Sequence, residues 1–198
     1  MKTKPEVFIV ESNKFEEEED EKFEGRVLME LLRMCGKDPT YFYIRTKREL
    51  VEVMGIFSRS NYRYLHLACH GERTSIFTTL DEIPFGELGE ILNPYIDSRR
   101  LFISACEAVN VQLANAVMPN SGCLSIIGPY REVTFDDAAI VWASFYQLMF
   151  RENWNKMRRE DIEFVLEGLT ELFEVPIAYC GARTRSRGGY RIEVFGDY

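Results

Sequence analysis

Along the chain, short runs rich in β-branched and aromatic residues alternate with longer segments in which apolar residues recur three and four apart. The short runs predict strands at Glu6–Val10, Thr40–Ile44, Arg63–Cys69, Arg100–Ala105, Leu124–Ile127 and Pro176–Tyr179. The longer segments predict helices over about Glu18–Met34, Lys47–Phe57, Phe85–Leu92, Val111–Met118, Asp136–Phe150 and Asp161–Phe173. Val141, Phe145, Leu148 and Met149, for example, fall on one helical stripe that a sheet would cover. Strands alternating with helices form a parallel sheet clothed on both faces, so the expected fold is α/β, a three-layer sandwich with a mainly parallel sheet. Near the end, Gly188 and Gly189 separate two strand-like runs between Arg183 and Phe195, which predicts a C-terminal antiparallel hairpin. No repeat or linker interrupts the pattern, and residues 1–198 read as a single domain.

Composition narrows the function classes. The 198 residues are 46% hydrophobic and 28% charged, as in ordinary globular proteins. A net charge of −8 repels nucleic-acid phosphate and anionic membrane, leaving a protein or small molecule as the expected partner. The five cysteines are odd in number, scattered and without a CxxC pair, which fits free thiols rather than a disulfide framework or a zinc ribbon. The N-terminus has no signal-like apolar run, and no stretch approaches the roughly 20 apolar residues of a membrane span. A cytoplasmic location is expected. The acidic run Glu16–Glu21 and the arginines of the tail read as solvated surface.

Candidate chemistry centres on the two histidines, His66 and His70, which share one strand-like run. Four residues of extended chain span roughly 13 Å, so the pair cannot jointly hold a metal, and neither a metal nor a cofactor is expected. His66, in mid-strand, reads as structural, with its ring hydrogen-bonded. His70 precedes Gly71 where the strand should stop, at the carboxyl end where open α/β sheets place ligands. Cys106 ends the next long apolar strand and precedes a helical segment. Strands joined by a crossover helix tend to be parallel neighbours, which would bring His70 and Cys106 together. An imidazole and the positive end of the following helix would favour thiolate, and the Gly71 and Cys106 N–H groups could hold an oxyanion.

The motifs His66-Leu-Ala-Cys-His70-Gly71-Glu72 and Ser104-Ala105-Cys106-Glu107 resemble the two strand ends that carry the dyad in the CHAT family of caspase-like peptidases. Downstream, Gly128-Pro129, Asp136-Asp137-Ala138-Ala139 and Phe145-Tyr146 are similar to that family's Gly-Pro strand end and its Asp-led helix. The resemblance covers roughly residues 63–150 and implies a caspase-hemoglobinase sandwich that hydrolyses peptide bonds, with Cys106 as nucleophile and His70 as general base and acid. Many family members are longer and fused to helical repeats, which are missing here; that departure implies an activating protein partner.

The sequence carries no pattern that sets a substrate preference. Where clan relatives that cut after basic residues carry an acid two before the cysteine, this sequence has Ser104, so a strong basic preference is not expected. The first strand ends in Glu11, not in an arginine suited to an acidic substrate. Ser104, Glu72, Asp136 and Asp137 are candidates for the substrate cleft, with helix capping the stronger expectation for the two aspartates. Two other classes compete: a catalytically idle caspase-like scaffold, and a nucleotide binder, which lacks any GxGxxG or Walker sequence to support it.

Overall fold

In β1 (Lys4–Glu11) the stretch Val7–Val10 is buried at every position, because helices cover the strand on both sides. Even and odd residues serve different layers, with Val7 and Ile9 facing one core and Phe8 and Val10 the other. The structure, a computed structural model, describes residues 3–183 and 189–197. After β1 come α1 (Phe15–Glu19), α2 (Glu24–Met34), β2 (Thr40–Tyr43), α3 (Lys47–Ser60), β3 (Tyr62–Ala68), β4 (His70–Gly71), β5 (Ser75–Phe77), β6 (Glu82–Pro84) and α4 (Phe85–Leu92). There follow β7 (Arg100–Ser104), α5 (Val111–Val117), β8 (Ser125–Pro129), α6 (Phe135–Glu152), α7 (Arg159–Phe173), β9 (Ile177–Ala182) and β10 (Tyr190–Phe195).

The main sheet has the order β10-β9-β8-β7-β3-β1-β2. Strands β2, β1, β3, β7 and β8 run parallel, and β9 and β10 close one edge antiparallel. This is the expected sandwich with its C-terminal hairpin. The turn read at Gly188 and Gly189 is described only from Gly189 on; Gly188, Arg185 and Arg187 lie outside the described residues. Leu65, Leu67, Leu101 and Ile103 pack with α3, α4 and α5 on one face. On the other, Tyr64, Phe102 and Ile127 meet α2, α6 and α7. Phe102 is fully buried among Tyr64, Trp142, Phe145 and Tyr146, with ring centroids 5.3 to 6.1 Å away. In the stripe on α6, Val141, Phe145 and Met149 are buried and Leu148 packs at its margin.

Two departures from the sequence reading shape the site. The segment expected as one helix over Glu18–Met34 is two, α1 and α2, broken where Glu21 takes a left-handed φ of 55°. The break holds because Glu11, at the end of β1, accepts hydrogen bonds from Gly25 N (2.8 Å) and Arg26 N (3.2 Å), capping a fresh N-terminus. Gly25 permits this approach: a Cβ there would lie 2.9 Å from Ile9 Cγ2 and 3.1 Å from Glu11 Oε2. The second departure is a small antiparallel sheet, β4-β5-β6, beyond the end of β3. Its strands span two or three residues each, too few for an alternation signal.

Candidate active site

β3 and β7 pair in parallel with Ala68 opposite Ser104, so two residues further on His70 and Cys106 leave the sheet at the same level. Gly71 draws the two exits together, since a Cβ on it would lie 2.8 Å from both Ala105 Cβ and the Cys106 carbonyl oxygen. His70 and Cys106 line one cavity of about 250 Å³ at the carboxyl end of the sheet. In this conformation each holds another partner. His70 Nε2 lies 2.6 Å from Glu17 Oε2 on α1. The Cys106 thiol donates to Val133 O (3.5 Å) and accepts from Val133 N (3.4 Å). Among the described residues the Cys106 N–H has no acceptor.

Glu17 is one of the residues that sequence reasoning missed. It sits in the acidic run read as solvated surface, yet the side chain is only 25% exposed. Burial alone would raise its carboxyl, but the hydrogen bonds from His70 and from Lys14 N (3.0 Å) prevail and hold it below the usual range. Its neighbour Glu18 accepts from Tyr43 Oη at 2.5 Å and pairs with Arg45, which lowers its carboxyl to about 2 and fastens α1 to β2 and the chain beyond it. The available signal was position: the run follows the carboxyl end of β1, on the side of the sheet where sites gather.

Beneath His70 and Cys106 lies a polar cluster. His66 is fully buried, its Nδ1 3.2 Å from Tyr146 Oη and its Nε2 3.4 Å from Glu24 Oε1, consistent with a supporting role. Glu24 and Ser104 both line the cavity, and Ser104 Oγ donates to Glu24 Oε2 at 2.8 Å. Glu11 lines it as well and accepts from Tyr41 Oη at 2.8 Å. Desolvation outweighs the three donors around Glu11 and, with the Glu24 charge nearby, pushes its carboxyl up to about 7.

Of the other candidates, Ser104 belongs to the cavity, whereas Glu72, Asp136 and Asp137 do not line it. Glu72 is exposed, with its N–H bonded to Ser75 O (3.0 Å). Capping of α6 falls to Thr134, two residues before the expected range: its hydroxyl accepts from Asp137 N (3.2 Å) and donates to Asp137 Oδ2 (2.7 Å). Asp136 is exposed in that first turn. The helix after Cys106 begins at Val111, as expected, but a turn in which Glu107 adopts φ 55° and pairs with Arg73 keeps its end away from the thiol. Val133, rather than a helix end, supplies the polar partners of the thiol. Burial pushes the thiols of Cys69, Cys123 and Cys180 each up to about 12, although Cys69 as a whole residue is only partly covered. Among the described residues no helix is long and apolar enough to cross a membrane.

Comparison with solved structures follows the same geometry. A secreted C11 cysteine protease from Bacteroides thetaiotaomicron, iotapain, superposes with TM-score 0.61 over 91% of this chain and 67% of its own, at 11% identity. The fold is caspase-like. The Arg-specific cysteine proteinase gingipain R matches with TM-score 0.57 at 12% identity, over 87% of this chain and 43% of gingipain R. At these identities the likeness is one of fold, and the chain spans less than half of gingipain R. No protein-family model and no curated protein matches the sequence.

Proposed function

We propose that the protein is a cysteine endopeptidase of the CHAT type, acting on a protein or peptide substrate through Cys106 and His70. The observation that carries this reading is that the pair, set at matched ends of adjacent parallel strands, lines one open cavity on a caspase-like scaffold. With Nε2–H of His70 donated to Glu17, Nδ1 is the ring nitrogen left to act as a base, the division of labour of a carboxylate–imidazole pair. His70 takes the thiol proton and the Cys106 sulfur attacks the scissile carbonyl carbon. The Cys106 N–H, with that of Gly71, stabilises the oxyanion. His70 then returns the proton to the departing amine, and water hydrolyses the thioester to free the acid and the thiol. Glu17 is a positioning residue, and the Val133 N–H remains as a donor to the thiolate. Five free cysteines favour a reducing compartment such as the cytoplasm.

Site-resolved alkylation with iodoacetamide at neutral pH tests this. The reading expects Cys106 to react several-fold faster than Cys69, Cys123 and Cys180, and to slow at least 10-fold in His70→Ala. A Cys106 as inert as the buried thiols, or indifferent to His70, overturns it.

One observation supports a second reading, a binding module without activity: His70 and Cys106 are engaged by Glu17 and Val133 rather than by each other. The two readings meet if a protein partner binds the α1 segment and brings the dyad together. Addition of such a partner would then raise the alkylation rate of Cys106.

A further inference from the structure

The cavity that His70 and Cys106 share has strongly acidic walls. Glu11, Glu17 and Glu24 all line it, and among the described residues no lysine or arginine does. Glu24 is nine-tenths buried, and only one of its oxygens is satisfied, by Ser104. Among the described residues Oε1 has no hydrogen-bond partner, and the neighbouring His66 Nε2, 3.4 Å away, has none either. A buried carboxylate short of a donor is costly, and proteins retain one where a partner arrives from outside. Glu11, fully bonded but pushed up to about 7 by burial and by Glu24, adds a second buried carboxyl to the wall. Three carboxylates with no cationic side chain beside them in the lining are a setting that an organic cation would complete. At about 250 Å³ the cavity has room for a four-carbon stem and a charged head with some water, each molecule of which takes about 30 Å³.

We propose that this cavity receives the side chain of a lysine or arginine on the amino side of the scissile bond, with Glu24 as its principal anion. The proposal rests on the peptidase reading, since the cavity becomes a specificity pocket only if Cys106 attacks the adjacent carbonyl. It also reverses what the sequence suggested at Ser104. The serine two before Cys106 carries no charge, but its hydroxyl holds a carboxylate delivered from α2. The acid reaches the pocket through the fold instead of through the strand that bears the cysteine. An aspartate or glutamate side chain would meet the three carboxyl groups there.

Four peptidyl acyloxymethyl ketones, identical except for arginine, lysine, norleucine or aspartate beside the warhead, test the proposal by intact-mass kinetics of Cys106 modification. Arginine or lysine is expected to react roughly 10- to 100-fold faster than norleucine, the ratio that a hydrogen bond to a charged group supplies. Aspartate should be slowest, and Glu24→Gln should bring the arginine-to-norleucine ratio close to one. Equal rates for all four reagents overturn the cationic pocket while leaving the peptidase reading intact. Resistance to all four and to iodoacetamide overturns the peptidase reading itself. The pocket is then judged by binding alone: agmatine should raise the melting temperature of Cys106→Ala and pentanol should not, and a failure of agmatine sinks the proposal.

Discussion

Replacing Glu11 with glutamine should remove a pH dependence that the wild-type fold carries at its first strand end. The Glu11 carboxyl rises from 4.5 to about 7 on folding because it is buried, with Glu24 beside it. A group raised in the folded state contributes its stability in full below about 4.5 and loses it as the pH climbs through about 7. At about 1.4 kcal/mol for each pH unit, the contribution amounts to roughly 3 kcal/mol, of which some 2 to 3 kcal/mol disappears between pH 5 and pH 8. The glutamine amide can still accept from Gly25 N and donate to Tyr41 Oη, and it forfeits the bond from Arg26 N at every pH. The informative quantity is therefore the difference between the two proteins at two pH values, in which their other ionisable groups cancel. Urea unfolding at pH 5 and pH 8 measures it. Glu11→Gln should gain on wild type by about 2 kcal/mol between those values. Parallel stability curves would mean that Glu11 does not bind a proton in the folded state, and the account of a strained acidic cavity would fall with it.

Other substitutions probe separate links of the argument. Phe102→Ala should cost about 3–5 kcal/mol by denaturant unfolding, because its ring fills the space between Tyr64, Trp142, Phe145 and Tyr146. Gly71→Ala should destabilise by about 1–3 kcal/mol and slow Cys106 alkylation, as the added methyl meets Ala105 and the Cys106 carbonyl at 2.8 Å. Glu17→Gln should lower the alkylation rate of Cys106 about 10-fold and shift its pH profile, with Glu17→Asp restoring part of both; a uniform loss without a shift would make Glu17 merely structural.

The sandwich was legible because its strands are buried on both faces and read as continuous apolar runs, as at Phe8–Val10 and Leu101–Ile103. The convergence of His70 and Cys106 was legible because only two histidines compete, and parallel neighbours carry their ends to one edge. Glu17 was hidden by its own surroundings: a run of six acidic residues gives no sign of which one turns inward, and the turn depends on the break between α1 and α2. That break depends in turn on Glu11 capping α2 from another strand, a contact that local propensity does not encode. Glu24 escaped for the same reason. Its approach to Ser104 joins segments 80 residues apart, so the acid at the cavity is visible only once the chain is folded.

Cleavage itself tests the central claim most directly. A library of denatured protein would be incubated with wild type, Cys106→Ala and His70→Ala in a reducing buffer, and newly formed peptide termini would be identified by mass spectrometry. The account predicts termini that arise with wild type and vanish in both variants, together with an acyl adduct that traps on Cys106 when the reaction is quenched in acid. Termini of the same number and sequence from all three proteins would contradict it.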